Sequence, residues 1–342
     1  MKNQMLPVER VIAALTHKPA DSVPCEVRCT VDMEAEMVAY TGDKNYVSKY
    51  IEQPVVRVDL EPAGEIIKPG FYKDVFGVIW NRTQDKNIGV PENAWITPEN
   101  LKSYSFPEPL PDSFFVKARD TFSKARAAGK YRLARLNLSL WERAWAMRGM
   151  ENLMMDLAAD QTFVAEYFGK ICDYNCKVLH RAIDNLEFDG VHFGDDWGTQ
   201  LGLQISPQMW HTFIKPHITK MYAIVRDAGK FVSIHSCGKV QELFDEFIEI
   251  GVNSFNPFQP EVIDVDWAIK TYKNRLCFWG GVSTQDALAF GSPEQVYNET
   301  KHLIELGRNG DVIVCPSHTI PPGSKPDNII AMLESMRDNS KN

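Results

Sequence analysis

The feature that most constrains the fold is a regular alternation of short β-like runs with long amphipathic segments. The runs are short, apolar and bounded by turn residues, at 23–28, 54–60, 131–138, 189–194, 230–236, 252–257, 275–280 and 311–316. Strands that alternate with helices indicate a parallel sheet. Eight such units predict an α/β fold that closes into a (β/α)8 TIM barrel, and an open doubly wound sheet is the alternative.

Two of the intervening segments have clear helix signals. In 207–228, apolar residues recur at helical spacing and a glycine follows as a stop. In 292–306, Ser292 is placed to cap the helix, Pro293 occupies the first helical position and Gly307 ends it. These boundaries support helices between the last strands.

The region 61–130 interrupts the alternation. It contains a hairpin-like stretch, IIKPGFYKDVFGVIWNR, followed by a proline-rich part. We interpret 61–130 as an insertion over one face of the barrel, so that residues 1–342 form a single domain with a leading helix within residues 1–20. The polar tail after Met336 is expected to fray.

Composition limits the classes of function. The 45 acidic and 37 basic residues give a formal net charge of −8, which argues against a nucleic-acid or anionic-membrane surface. No apolar run is long enough to cross a bilayer, and the first residues do not resemble a secretory signal. We therefore expect a cytoplasmic protein without disulfides among its 7 cysteines. The sequence leaves the oligomeric state open, with a homodimer as one arrangement.

The strongest signal for chemistry is FVSIHSCG, at the end of the fifth run. Residues two apart on a strand point the same way, so His235 and Cys237 would face one point at the strand's carboxyl end. Cys315 closes the eighth run, and the carboxyl ends of barrel strands carry the active site. One histidine and two thiolates form a known zinc set that leaves a fourth position open. The alternative is packing, because buried cysteines often act as small hydrophobes.

Several longer motifs carry a resemblance. KDVFGVIWN, the Gly-Asp-Asp-Trp-Gly run at 194–198, ISPQMWHTFIKPH, IHSCG and CPSHTIPPGSKPDNI together resemble the uroporphyrinogen decarboxylase superfamily over nearly the whole chain. The resemblance implies a (β/α)8 barrel. True decarboxylases carry an arginine-rich segment after the first strand, whereas this chain reads EVRCTVDMEAEM, in which only Arg28 could match. Asp59 and His318 fit family positions.

The corrinoid methyltransferase branch of the superfamily is the better match. Its members bind zinc through a His-x-Cys pair and a later cysteine, which correspond to His235, Cys237 and Cys315, and a carboxylate such as Glu261 can fill the fourth position. The resemblance implies Zn²⁺ and a corrinoid (cobalamin) carried by a partner protein. The substrate would be a small methyl donor or acceptor, either a thiol or a methoxylated aromatic that undergoes O-demethylation in anaerobic metabolism.

Other strand ends offer supporting residues. We predict catalytic roles for Asp195, Asp59 and His318, and substrate contacts for Arg28, Asp196, Trp197 and Trp279. Capping carboxylates and packed aromatics are the alternatives for these positions. His192 is either a pocket residue or a core histidine, and the sequence does not decide between the two.

The sequence thus predicts a zinc-dependent methyltransferase that moves a methyl group between a small substrate and a corrinoid. The alternatives are a metal-independent decarboxylase of a tetrapyrrole or small carboxylic acid, and a non-enzymatic barrel that carries or senses a corrinoid.

Overall fold

A computed structural model describes residues 4–341 of the chain. Seven parallel strands form one sheet in the order β1, β6, β7, β8, β9, β10, β11, and β2 to β5 form a four-stranded antiparallel sheet. The strands are β1 (Val55–Asp59), β2 (Glu65–Lys68), β3 (Phe71–Lys73), β4 (Ile79–Asn81), β5 (Val90–Pro91), β6 (Tyr131–Leu136), β7 (Gly190–Gly194), β8 (Phe231–His235), β9 (Ser254–Phe258), β10 (Cys277–Val282) and β11 (Val312–Pro316).

Helices precede, follow or connect the parallel strands, as the alternation in the sequence predicts. They are α1 (Pro7–Leu15), α2 (Val31–Thr41), α3 (Asp112–Ala127), α4 (Trp141–Arg148), α5 (Met150–Ala159), α6 (Gln161–Asn185), α7 (Pro207–Met209), α8 (Lys215–Asp227), α9 (Phe244–Glu249), α10 (Val265–Thr271), α11 (Ala287–Phe290), α12 (Pro293–Gly307) and α13 (Pro326–Asn339). None of the described helices is both long and apolar enough to cross a membrane.

Both segments with helix signals are helical. Ser292 caps α12 by accepting a hydrogen bond from the Gln295 backbone N–H at 3.2 Å. The segment 207–228 is α7 and α8 joined by a π-helical turn at Trp210–Ile214. Pro216 lies just after this turn, and because proline has no backbone N–H, it interrupts the regular hydrogen-bond pattern there.

The parallel sheet curls around a common interior. Strands β1 and β10 are far apart in the sheet order, yet the Arg57 guanidinium lies 5.5 Å from the centre of the Trp279 ring. His192 on β7 also approaches Trp279, with ring centres 6.2 Å apart. Side chains of non-neighbouring strands can meet only across the inside of a curved sheet, so these residues point inward.

The predicted first strand, 23–28, is the exception. It is an extended segment with a single parallel bridge between Cys25 and Val314, and not a strand of the sheet. Pro24 has no N–H to donate to a neighbouring strand. On the side that faces β1, the backbone of the segment bonds to a side chain and not to a strand, since the Gln53 amide accepts from the Val27 N–H and donates to the Val27 carbonyl. The described residues therefore contain a curled seven-stranded sheet, and a closed eight-stranded barrel is not shown.

The predicted insertion contains two kinds of structure. Strands β2 to β5 form the antiparallel sheet, whereas α3 lies between β1 and β6 in sequence and belongs to the alternation itself. A buried ion pair attaches the antiparallel sheet to α4, since Arg143 contacts Asp74 at 2.5 Å and Glu61 at 3.1 Å. Asp74 also accepts a hydrogen bond from the Trp80 indole at 3.0 Å. Removing one partner of such a buried pair leaves an unpaired buried charge, which is costly, so the pair fixes the antiparallel sheet against α4.

The interior of the parallel sheet has an apolar end and a polar end. The half near the amino ends of the strands is apolar, and α1 covers it. Val11, Ala14 and Leu15 of α1 pack in one buried cluster with Val55, Tyr131, Leu133, Cys277, Trp279, Ile313 and Cys315. The polar inward residues lie nearer the carboxyl ends of the strands. The leading helix predicted within residues 1–20 is therefore the floor of the cavity.

Candidate metal centre

His235 is the last residue of β8 and points into the cavity. Its Nδ1 lies 2.6 Å from the side-chain oxygen of Asn256, the residue in register with it on β9. The Asn256 amide nitrogen donates to the Trp279 carbonyl at 2.9 Å, which fixes the amide orientation. Since the amide oxygen can only accept, Nδ1 of His235 carries the proton and Nε2 keeps its lone pair. A histidine held in this way is ready to bind a metal ion through Nε2.

Cys237 follows two residues later, on a loop held by glycines. A Cβ on Gly238 would lie 2.5 Å from the Thr199 carbonyl oxygen, and a Cβ on Gly198 would lie 2.5 Å from the Cys237 carbonyl oxygen. Gly238 also has φ of +88°, which disfavours any other residue. The two loops can therefore pack backbone against backbone. This contact brings the Cys237 Sγ to 3.4 Å from the His235 Nε2.

Asp196 lies on the neighbouring loop, beside this pair. It accepts a hydrogen bond from the Cys237 backbone N–H at 2.8 Å, and its carboxylate is 3.6 Å from His235 Nε2. Burial raises the pKa of the Cys237 thiol well above its usual value, and the Asp196 carboxylate raises it further. The thiol is therefore protonated without a cation, and a cation that binds there must displace the proton.

His318 completes a three-residue cluster. Ligand atoms of His235, Cys237 and His318 all lie within 4.8 Å of one another. The two histidine rings have centres 5.5 Å apart. His318 is the exposed member of the cluster, and partial loss of solvent together with the neighbouring His235 lowers its pKa, which favours the neutral ring that offers a lone pair. Two imidazoles and one thiolate fit zinc, which prefers nitrogen and sulfur ligands.

The predicted third ligand, Cys315, lies outside this cluster. Its side chain is buried, and its thiol donates to the Pro316 carbonyl at 3.2 Å. Burial raises the pKa of this thiol well above its usual value, and nearby Glu26 raises it further. The predicted pair His235 and Cys237 is thus brought together, and the third position in the cluster is taken by His318.

Glu261, predicted as a fourth ligand, lies after β9 and is also outside the cluster. One carboxylate oxygen accepts hydrogen bonds from the Ser283 hydroxyl at 2.6 Å and the Gln285 N–H at 3.1 Å. The other oxygen is buried without a partner among the described residues. Asp196 is the carboxylate that borders His235 directly.

The two carboxylates with predicted catalytic roles differ in position. Asp195 is 1% exposed and accepts the backbone N–H groups of Trp141 at 2.8 Å and Glu142 at 2.7 Å, at the start of α4. This arrangement caps the helix. Asp59, at the end of β1, pairs with Arg135 at 2.6 Å and accepts from Asn137 at 3.1 Å. Asp59 thus lies at the carboxyl end of the sheet, whereas the carboxylate oxygens of Asp195 are bonded to the backbone N–H groups of α4.

The residues with predicted substrate contacts also lie in different places: one is packed between helices, and others lie in the cavity. Trp197 is 1% exposed and packs against Trp210 and Phe247 between helices, where the packing alternative fits its surroundings. Trp279 lies inside the cavity below the cluster. Arg28 lies in the same cavity, and solvent reaches part of its side chain. Burial, together with Arg57 and Arg135, lowers the pKa of Arg28 to about 10.

Two residues near the cluster, Asn256 and Glu142, were not predicted as functional, and the sequence leaves a third, His192, open between a pocket residue and a core histidine. Asn256 holds His235, and the register of β8 and β9, which the structure supplies, is what places it opposite that histidine. Glu142 lies in the first turn of α4, where burial and then the Asp196 and Asp195 carboxylates raise its pKa well above the usual value. His192 points into the cavity beside His235, with ring centres 6.0 Å apart. No pattern in the sequence distinguishes Glu142 from an ordinary helix residue.

Comparisons with known proteins agree with this fold. Residues 6–339 match the sequence model of the family described as Uroporphyrinogen decarboxylase (URO-D). A solved structure of a methyltransferase from Methanosarcina mazei is similar, with 15% identity, a TM-score of 0.72, and coverage of 97% of this chain and 98% of that one. At that identity the likeness establishes a shared fold.

Other likenesses are weaker. A glycosylated endo-β-1,4-xylanase from Gloeophyllum trabeum has 10% identity and a TM-score of 0.47, with coverage of 94% of this chain and 98% of that one. A glucosidase from Croceicoccus marinus has 12% identity and a TM-score of 0.41, with coverage of 93% of this chain and 68% of that one. These values carry no functional argument. No curated protein sequence matches the chain.

Proposed function

Because the chain belongs to the uroporphyrinogen decarboxylase family and gathers two histidines and a cysteine at one end of its sheet, we propose that it is a zinc-dependent methyltransferase. The methyl group passes between a small substrate, a methoxylated aromatic or a thiol, and a corrinoid carried by a partner protein. The observation that carries the proposal is the convergence of His235, Cys237 and His318 ligand atoms within 4.8 Å.

Two further facts support it. The cluster lies at the carboxyl ends of parallel strands, where enzymes with α/β barrels place their chemistry. The similar structure from Methanosarcina mazei is that of a methyltransferase, and the likeness extends over nearly the full length of both chains. The corrinoid and its carrier come from the resemblance of the zinc motif, and they are part of the proposal.

The residues divide the work as follows. His235, Cys237 and His318 hold the metal ion, and Cys315 is the alternative third ligand. Zinc bound there supplies a Lewis acid that polarises a thiol or an ether oxygen of the substrate. Asn256 keeps the Nε2 lone pair of His235 directed at the site, through its 2.6 Å hydrogen bond to Nδ1.

Side chains of the protein hold and release the protons near the site. Cys237 releases its thiol proton when the cation arrives. Glu142, whose pKa is raised well above the usual value by burial and by its acidic neighbours, holds a proton near the same loop. Asp196 fixes the backbone of Cys237 through its N–H at 2.8 Å.

Metal analysis of untagged protein tests the metal site. We expect about one zinc ion per chain, and a Cys237→Ala variant should lose it. Cys176→Ala is the matched control, because Cys176 is a buried cysteine of α6 outside the cluster. Parent protein without bound zinc would contradict the proposal and would favour a metal-independent decarboxylase.

The third ligand needs a second comparison. If His318 is a ligand, His318→Ala weakens zinc binding and Cys315→Ala leaves it nearly unchanged. The opposite result would assign Cys315 as the ligand and would mean that the loop after β11 rearranges when zinc binds.

Methyl transfer is tested by the spectrum of the corrinoid. Methylcobalamin and a thiol, or Co(I) cobalamin and a methoxylated aromatic, should interconvert the methyl-Co(III) and Co(I) spectra only with the zinc-loaded protein. A corrinoid that binds without any change in its methylation state would indicate a carrier or sensor.

A further inference from the structure

Two cysteines of α6 form a thiol pair that has no part in the metal centre. Cys172 and Cys176 are one helical turn apart, and their sulfur atoms lie 3.9 Å from each other. The Cys172 thiol also lies 3.5 Å from the His217 carbonyl of α8, so the pair is on the side of α6 that packs against α8. Neither cysteine belongs to the cluster of metal-ligating atoms. The chain therefore has a second place where nucleophilic side chains meet.

The two thiols differ in exposure and in charge. Cys172 is 1% exposed and Cys176 is 7% exposed, so a small molecule from solvent meets Cys176 first. The Lys220 ammonium of α8, held by an ion pair with Asp173 at 2.8 Å, interacts with both sulfurs. The hydrogen bond from Cys172 lowers the pKa of Cys176, burial raises it and Lys220 lowers it again, with a net downward shift. Because the thiolate is the nucleophile, Cys176 is the more reactive of the two.

A bond between these sulfurs does not fit a regular helix. Side chains four residues apart have Cβ atoms about 5–6 Å apart, whereas a disulfide needs about 3.5–4.5 Å. Closing the pair therefore distorts the turn from Cys172 to Cys176, and a strained disulfide is easily reduced. Labile bonds of this kind are typical of redox-sensing cysteines, in contrast to the bonds that stabilise secreted proteins.

We propose that Cys172 and Cys176 form an oxidation site, which a peroxide converts reversibly into a disulfide. The Cys176 thiolate attacks one peroxide oxygen, the O–O bond breaks, and the departing hydroxide takes up the proton that Cys176 released. The Cys172 sulfur then attacks the sulfur of the Cys176 sulfenic acid, and the hydroxyl group leaves as water with the Cys172 proton. Two electrons pass from the thiols to the peroxide, which becomes two molecules of water. The inference is independent of the proposed function.

The turn that would distort is connected to the end of the sheet that carries the metal centre. Asn175 lies between the two cysteines, is 4% exposed, and donates its amide N–H to the Ser139 carbonyl. Ser139 comes just before α4, whose first backbone N–H groups bond to Asp195. Closing the disulfide should therefore loosen the start of α4 as well as the turn of α6.

Peptide mapping of the full-length protein as purified tests the proposal. Trypsin cuts after Lys170 and Lys177, so both cysteines fall in one peptide, 171–177, which contains no other cysteine. After treatment with hydrogen peroxide and alkylation of the remaining thiols, this peptide should lack two hydrogens and carry no alkyl group. Dithiothreitol should restore two alkylatable thiols. Cys277, which is 0% exposed on β10, should remain a free thiol as an internal control.

Variants test the order of events. Cys172→Ser should stop the reaction at the Cys176 sulfenic acid, which dimedone traps, and Cys176→Ser should leave Cys172 unmodified. Lys220→Gln should slow oxidation about two- to fivefold, because the nearby ammonium stabilises the reacting thiolate. Lys124→Gln is the matched control, since it removes an ion-paired surface lysine from α3 and should leave the rate unchanged.

Hydrogen exchange measures the distortion. Backbone amides of 172–176 and 139–144 should exchange about tenfold faster in the oxidised protein than in the reduced one. Two alkylated cysteines in peptide 171–177 after peroxide treatment, a sulfenic acid on Cys172, or equally fast oxidation of Cys277 would overturn the oxidation site. Unchanged exchange in a protein whose disulfide has formed would refute the distortion of α6.

Discussion

Replacing Asp195 with alanine separates a structural role for this carboxylate from a catalytic one. The side chain is 1% exposed and accepts two backbone N–H groups, from Trp141 at 2.8 Å and Glu142 at 2.7 Å. Each buried donor left without a partner costs about 1–3 kcal/mol, and relaxation of the helix end or entry of water recovers part of that. We therefore expect Asp195→Ala to lower the free energy of unfolding by about 2–4 kcal/mol.

Urea unfolding followed by tryptophan fluorescence measures this loss. The matched control is Asp160→Ala, which removes the same chemical group from an exposed cap of α6, where it accepts from Phe163 at 3.0 Å. That control should cost about 1 kcal/mol, because water can replace the lost acceptor. Asp195→Asn keeps one acceptor oxygen and should fall between the two.

The result that would refute this reasoning is an Asp195→Ala protein as stable as its parent but without activity. The carboxylate would then act on the substrate, as a catalytic role requires. A stability loss with activity retained at low temperature would establish the cap.

Three further predictions follow from the same contacts. Asn256→Ala frees the His235 ring and should weaken zinc binding about 10–100-fold, as measured by competition with a chelator. Gly238→Ala would place a Cβ 2.5 Å from a backbone oxygen and should destabilise the fold by more than about 1 kcal/mol, whereas Gly229→Ala, with open space around it, should cost less. Burial raises the pKa of Asp195 from 3.8 to about 7, so the folded state binds its proton more tightly than the unfolded state does. Stability relative to Asp195→Asn should therefore fall as pH rises from about 4 to 7 and level off above, by at most about 1.4 kcal/mol per pH unit in urea titrations.

Strand periodicity explains which parts of the site the sequence could predict. His235 and Cys237 are two residues apart at a strand end, and that spacing alone puts them on one side. The seven parallel strands follow from the same kind of pattern. Segment 23–28 has the apolar residues of a strand, but its pairing depends on Pro24 and on the side chain of Gln53, which bonds Val27 from 26 residues further along the chain. No local sequence pattern predicts such a contact.

The site residues that the sequence could not predict depend on the positions of loops. Cys315 ends a strand and His318 lies in the loop beyond it, where no periodicity determines the direction of a side chain. Asp195 and Asp196 are adjacent, and the sequence does not distinguish which of the two caps a helix and which lies beside the metal centre. Only the position of α4 decides that Asp195 caps a helix while Asp196 borders His235.

The floor formed by α1 has a consequence for the order of events. Val11, Ala14 and Leu15 fill the amino-terminal end of the cavity, so small molecules reach His235 from the opposite side. Under the proposed function, a macromolecular carrier that delivers its cofactor to the metal would approach from that same side and cover the entrance. The proposal therefore predicts that substrate enters before the carrier docks and that product leaves after the carrier departs.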